Sequence, residues 1–247
     1  MKKAIIIGAT SGIGREVARL LAQDGWQIGI AGRREELLQA LQAEFPDGLV
    51  KTAVLDVTDT DAPTRLQALI DELGGMNLYF HSSGIGFQNA TLDPDIEIRT
   101  ARTNGEGFVR MTTFVFNYFK AHATKEAPGH MAVISSIAGI KGIGVAPAYS
   151  ATKRFQNTYI QALVQLAHMQ HLPIHFTDIR PGFVATDLLR DGNYPMLMKA
   201  DTVARDIVQS LKHHRRIRII DWRYRLLVFF WRLIPRPIWE RLRVSNK

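Results

Sequence analysis

Short apolar runs alternate with helix-length segments along most of this chain, and the first run leads straight into a glycine-rich turn. Residues 4–7, 27–31, 50–55, 78–81, 131–135 and 174–179 read as strands. Between them, residues 15–23, 35–44, 64–73, 99–120 and 151–169 read as helices. Alternation at this spacing implies βαβ units, and hence a parallel sheet with helices on both faces. Such a Rossmann-like doubly wound sheet is built by right-handed crossovers and binds ligands at the carboxyl ends of its strands. No repeat, low-complexity tract or linker interrupts the pattern.

Charge is distributed unevenly. The 247 residues carry a formal balance of +8, yet from Lys212 onward eleven basic residues face only two acidic ones. The preceding part is close to neutral, which argues against a domain-wide nucleic-acid footprint and for no nucleic acid as partner. The chain therefore divides into an α/β domain over residues 1–211 and a basic, aromatic C-terminal extension over 212–247. This extension is expected to pack on the domain or at an interface. There is no cysteine, which excludes disulfides, thiolate zinc sites and a cysteine nucleophile; no metal is expected. The opening apolar run is too short for a signal peptide, and no stretch approaches the roughly 18 apolar residues of a membrane span. A cytoplasmic protein is expected.

The first turn reads Gly8-Ala9-Thr10-Ser11-Gly12-Ile13-Gly14 between a strand and a helix. Glycine lets the backbone approach a pyrophosphate, and a helix N-terminus offers free N–H groups. The spacing is G-x-x-x-G-x-G rather than G-x-G-x-x-G, so alone it describes a tight turn equally well. Its place after the first strand favours the ligand. The second strand ends in Arg33-Arg34 without the acidic residue that would bind a ribose 2′-hydroxyl. These guanidiniums, with Arg15, suit a 2′-phosphate and point to NADP(H).

Tyr149 and Lys153 stand four apart, on one face of a helix. An ammonium beside a phenol favours the phenolate, so the pair suits proton transfer near neutral pH. Pairs at this spacing are common on helices, and context carries the reading. Ser136 lies thirteen residues earlier, at a strand end, where it could hydrogen-bond a substrate oxygen.

In order and spacing these motifs resemble the short-chain dehydrogenases/reductases in their single-domain form, over about residues 3–190. The matching positions are the glycine turn, Asp56-Val57, Asn104, Ser136, Tyr149-x-x-x-Lys153 and Pro181-Gly182 with Thr186. The resemblance implies that Tyr149 is the general acid for carbonyl reduction, or the base for alcohol oxidation. Lys153 would bind the nicotinamide ribose and lower the Tyr149 pKa, Ser136 would orient the reacting oxygen, and Asn104 would hold a water linking Lys153 to solvent. Asp56 and Val57 would meet the adenine, Ser83 and Gly84 would lie on the adenosine side, and Pro181, Gly182, Val184 and Thr186 would cover the nicotinamide. It also implies a homodimer or homotetramer. Two departures stand out: Ile7 replaces a Thr before the first glycine, and His81-Ser82-Ser83-Gly84 replaces Asn-Asn-Ala-Gly. His81 reads as structural, and both departures as family variation.

The segment 187–198 carries Leu, Tyr and Met. These suit an apolar or lipid-like substrate, or else pack the segment onto the body. In the extension, residues 221–234 read as a helix apolar on most sides, ended by Pro235, with a second short helix over 238–243. Aromatics with arginines suit an interfacial membrane helix, but helices apolar all round are usually buried, and burial is the favoured reading. Together with the arginines, the resemblance implies an NADP(H)-dependent oxidoreductase acting on a carbonyl/alcohol pair. A non-catalytic NADP(H)-binding regulator or membrane-surface scaffold on the same fold is the rival.

Overall fold

In the computed structural model, which describes residues 1–189 and 194–244, the apolar runs pair in parallel throughout the main sheet. The chain order is β1 (Lys3–Ile7), α1 (Gly12–Gln23), β2 (Gln27–Gly32), α2 (Glu35–Gln42), β3 (Val50–Val54), α3 (Ala62–Leu73) and β4 (Leu78–His81). Then come α4 (Pro94–Ala101), α5 (Phe108–His122), β5 (Gly129–Ile134), α6 (Pro147–Met169) and β6 (Ile174–Arg180). Two short strands follow, β7 (Val184–Ala185) and β8 (Met198–Lys199), then α7 (Ala200–Lys212), β9 (Ile217–Ile219), α8 (Trp222–Leu233) and α9 (Arg236–Trp239). The main sheet has the order β3-β2-β1-β4-β5-β6-β9. Strand order therefore reverses between β1 and β4, and the crevice outside their carboxyl ends is where a doubly wound sheet takes its ligand.

Period-two alternation explains why the central strands read as unbroken apolar runs. Ala4 and Ile6 of β1 enter one core with Val17, Leu21, Ile207 and Leu211, while Ile5 and Ile7 enter the opposite core with Leu66, Leu69, Phe108 and Val115. A strand covered on both faces needs an apolar residue at every position.

Two departures from the sequence reading stand out, besides a second tail helix that lies at Arg236–Trp239 rather than over 238–243. The helix expected over 99–120 is divided: α4 ends at Ala101, a π-helical turn spans Arg102–Gly107, and α5 begins at Phe108. Such turns gather at functional sites because they displace backbone carbonyls from the regular ladder. The extension also begins inside the sheet. Ile217–Ile219 pairs with Asp178, Ile179 and Arg180 as the seventh strand, hidden in the sequence because arginines surround its two isoleucines. Among the described residues, no helix is long and apolar enough to cross a membrane.

Candidate active site

A cavity of about 720 Å3 opens at the carboxyl ends of the central strands. Its walls include Gly8, Thr10, Ser11, Gly12, Ile13, Arg33, Arg34, Asp56, Val57, Ser83 and Gly84 on one side. Ser136, Tyr149, Lys153, Pro181, Gly182, Val184 and Thr186 complete the set expected from sequence. Gly14 and Asn104 stand behind this wall and do not line it.

The glycine turn is a backbone cradle. Gly8 has φ +86°, and a Cβ there would lie 2.7 Å from the Ser83 nitrogen. Gly14 is needed for packing, since its Cβ would fall 2.2 Å from the Gly8 carbonyl oxygen. Ser11 caps α1 without a side-chain hydrogen bond to the helix N–H groups, which leaves those of the first turn for an anion. The turn therefore fits a pyrophosphate. Arg34 reaches it from β2, donating from one nitrogen to Thr10 Oγ1 and Ser11 Oγ, both at 2.8 Å. Arg33 lies 3.5 Å from Asp56. Arg15 does not join them; it turns to Glu44 at 3.3 Å and lies outside the cavity lining. Asp56 accepts from Thr58 N at 2.9 Å and Thr58 Oγ1 at 2.8 Å. Burial pulls its pKa up, but these bonds and Arg33 outweigh it and hold the carboxyl below its usual value.

The reacting end is built from β5 and α6. Ser136 follows β5 and caps a 3-10 turn over Ile137–Ile140, its Oγ accepting from Ala138 N at 3.1 Å. Tyr149 sits in the first turn of α6, which begins four residues earlier than the sequence reading. Contrary to the lowering expected from Lys153, burial pushes its phenol pKa up, opposed by a side-chain hydrogen bond with Ser136. Gly86 makes room for the ring: a Cβ there would lie 2.8 Å from two of its carbons.

Lys153 is buried with its ammonium 5.8 Å from the Tyr149 ring centroid. Burial lowers its pKa to about 8, with the Asp178 carboxylate opposing the fall. Its Nζ donates to the Ile134 carbonyl at 3.1 Å and to Gln156 Oε1 at 3.0 Å. Gln156 Nε2 in turn donates to the Asn104 carbonyl at 2.9 Å. That carbonyl lies in the π-helical turn, so the link from Lys153 to Asn104 runs through a side chain. The Asn104 amide is occupied elsewhere, clamping Ile85 through its N–H at 2.9 Å and its carbonyl at 2.7 Å.

Sequence reasoning missed Gln156, although its position one turn after Lys153 was a usable signal. It also missed Glu97, whose carboxylate accepts from Ala148 N at 2.8 Å and caps the helix carrying Tyr149. No local pattern reveals that long-range contact. His81 is buried, bonds Tyr79 through Nδ1 at 2.7 Å and does not line the cavity. Burial, then the Lys153 charge, lower its pKa to about 3, so it is a neutral structural group.

Part of the cavity wall is apolar. Leu188, Leu189, Pro195 and Met196 contribute from the segment after Thr186, and Tyr224, Leu227 and Trp231 from α8. Met198 is instead buried in the core, so this segment both lines the cavity and packs on the body. Arg190, Asp191, Gly192 and Asn193, also part of the expected substrate loop, lie outside the described residues. The Tyr224 hydroxyl ties the two ends of this wall, accepting from Phe183 N at 3.1 Å and donating to the Pro195 carbonyl at 2.9 Å.

Comparison with known proteins places these features in context. The family model of short chain dehydrogenases matches residues 2–195. An uncharacterized oxidoreductase of Myxococcus xanthus is 34% identical over 206 residues, covering 81% of this chain and 79% of its own length. One from Mycobacterium tuberculosis is 30% identical over 247 residues, covering 95% of each chain. Among solved structures, a 3-ketoacyl-(acyl-carrier-protein) reductase from Brucella melitensis complexed with NADH superposes with a TM-score of 0.79 at 23% identity, covering 89% of this chain and 96% of that one. An actinorhodin polyketide ketoreductase with NADPH gives 0.75 at 22% identity, covering 89% and 95%. At such identity these two establish the fold alone.

Proposed function

The chain belongs to the short-chain dehydrogenase/reductase family, and from that premise we propose that it is an NADP(H)-dependent oxidoreductase interconverting a carbonyl and an alcohol. The observation that carries this reading is the convergence of Ser136, Tyr149 and Lys153 on one cavity whose other end is the glycine cradle. A purely binding module has no use for a half-buried phenol held against a serine beside a buried ammonium. That counts against a regulator or scaffold.

The turn from Gly8 to Gly14 would hold the pyrophosphate, and Arg33 and Arg34 would bind the 2′-phosphate. Pro181, Gly182, Val184 and Thr186 would line the nicotinamide, and Lys153 would bond its ribose. When bound, the nicotinamide supplies or accepts the hydride at the carbonyl carbon. Ser136 Oγ polarises the substrate oxygen, and Tyr149 gives that oxygen its proton in reduction or takes it in oxidation. The Lys153 ammonium favours the phenolate left behind, and the chain through Gln156 to Asn104 holds that ammonium in place. The apolar wall suits a carbonyl compound with a hydrophobic body. On the family's pattern the protein acts as a homodimer or homotetramer, and its sequence suits the cytoplasm, with peripheral membrane association the alternative.

The test is to titrate NADPH and NADH and screen hydrophobic carbonyls and alcohols with wild type and Tyr149→Phe. Preference for NADPH, with turnover lost in the variant while NADPH still binds, is expected. Preference for NADH would overturn the arginine argument, and turnover persisting in Tyr149→Phe would remove the proton-transfer role.

A further inference from the structure

Helix α8 has two unlike faces. Tyr224 and Val228 are buried against the body, with Leu227 and Trp231 half-buried beside them. The opposite face carries Trp222, Leu226, Phe229, Phe230 and Leu233, each between 51% and 64% exposed. At the α-helical repeat these five fall within an arc of about 100°. Arg223 borders the arc on one side, and Arg225 and Arg232 on the other. Beyond the helix, Ile238 and Leu242 are also exposed, interleaved with exposed Arg236, Arg241 and Arg243. The segment is anchored firmly: Lys141 Nζ donates to the Ile234 carbonyl at 2.8 Å, and Trp239 Nε1 to the Gly142 carbonyl at 2.7 Å. Its outer face is therefore presented in a fixed orientation.

A contiguous aromatic surface rimmed by charge marks an interaction site. Charge decides what covers it. A second copy docking face to face would set one arginine rim against another. The acidic residues of the extension, Asp221 and Glu240, are already paired with Arg223 at 2.7 Å and Arg236 at 2.6 Å. Among the described residues of the segment, no acidic side chain is left to neutralise a facing copy. An anionic lipid surface supplies both the negative charge and an apolar layer for the rings. A helix of twelve residues is too short to span a bilayer, and an exposed apolar arc with basic flanks lies in the interface plane.

We propose that α8, with the residues that follow it, docks this protein onto an anionic membrane surface. Its outer apolar face enters the lipid interface and its arginines meet the headgroups. The inner face of the same helix places Leu227 and Trp231 in the cavity wall, so docking holds the cavity at the lipid surface.

The test is flotation of the full chain with phosphatidylcholine vesicles, with and without phosphatidylglycerol, at low and raised salt. Binding to the phosphatidylglycerol vesicles, weakened by salt, is expected. Phe229→Glu with Phe230→Glu should lower the vesicle affinity at least about a hundredfold while melting as the wild type does. If that variant misfolds, Arg225→Gln with Arg232→Gln decides, with about a fivefold loss expected for each arginine. Absence of binding at low salt, equal binding to both vesicle types, or unchanged affinity in a folded variant would each overturn the proposal. So would an oligomer that the glutamates dissociate without altering vesicle binding. None of these readouts requires turnover, so the proposal can fail while the catalytic reading stands.

Discussion

Tyr224 joins the C-terminal helix to the active site through one oxygen, and Tyr224→Phe removes that oxygen while keeping the ring. The hydroxyl accepts from Phe183 N at 3.1 Å and donates to the Pro195 carbonyl at 2.9 Å, with the Met196 carbonyl at 3.3 Å as a second acceptor. A neutral hydrogen bond contributes about 1 kcal/mol net, and a buried donor left unpaired costs about 1–3 kcal/mol. Phe183 is half-buried and Pro195 exposed, so water replaces part of the loss and the lower end applies. The expected destabilisation is about 1–2 kcal/mol, or roughly 2–8 °C in Tm for a chain of this size. Because Phe183 and Pro195 line the cavity, the same energy appears as a rise of about 5–30-fold in KM if the hydroxyl holds the wall closed. Tyr224→Ala is expected to cost about 3–5 kcal/mol through the void left by the ring. That void also makes room at Gly182, where a Cβ would meet the Tyr224 ring at 2.2 Å. Gly182→Ala should therefore be severe beside Tyr224 and mild beside Ala, a strongly non-additive cycle. Thermal melts and steady-state kinetics check all four proteins. A Tyr224→Phe protein with unchanged Tm and KM, or an additive cycle, would refute the reasoning.

Other outcomes follow from the charges of the site. With the Lys153 pKa lowered to about 8, kcat/KM for carbonyl reduction should fall as pH rises through about 8, where the ammonium loses its proton; a profile flat to pH 10 would contradict this. Gln156→Leu removes an acceptor that favours that ammonium, so the fall should move to lower pH and kcat should drop about tenfold, measured as a pH–rate profile against wild type. Acid should destabilise the fold through His81 and His130, whose pKa values are both lowered to about 3, first by burial. Between about 6.5 and 3 the unfolded chain holds more protons than the folded one. Stability is therefore lost as pH falls, by up to about 1.4 kcal/mol per pH unit and histidine, which urea melts at pH 7 and 4.5 would register. Finally, Arg34→Ala should weaken NADPH binding about 10–100-fold while leaving NADH nearly unchanged, so an equal loss for both cofactors in fluorescence titrations would count against a 2′-phosphate contact.

What was legible in the sequence was whatever local chemistry dictates. Residues 4–7 followed by Gly8 announce a doubly buried strand and a backbone cradle, because every position on both faces must be apolar and Gly8 and Gly14 leave no room for a Cβ. Tyr149 and Lys153 are linked by helical spacing alone, and the path from β5 through Ser136 to α6 is short. Contacts that cross the fold were not legible. Glu97 caps α6 from a different helix, and the π-helical turn at Asn104 looks like continuous helix until Gln156 bonds its displaced carbonyl. The extension was legible only in part, for a physical reason. Its sequence reads as a helix apolar on nearly all sides, for which burial is the favoured reading. That pattern arises here from two separate apolar faces, an inner one that reaches the body and the cavity and an outer one that reaches neither. A single buried helix has no need of arginines along the borders of its outer arc. Arg225 and Arg232 border that outer arc, and under the docking proposal their placement marks it as an interface rather than a core.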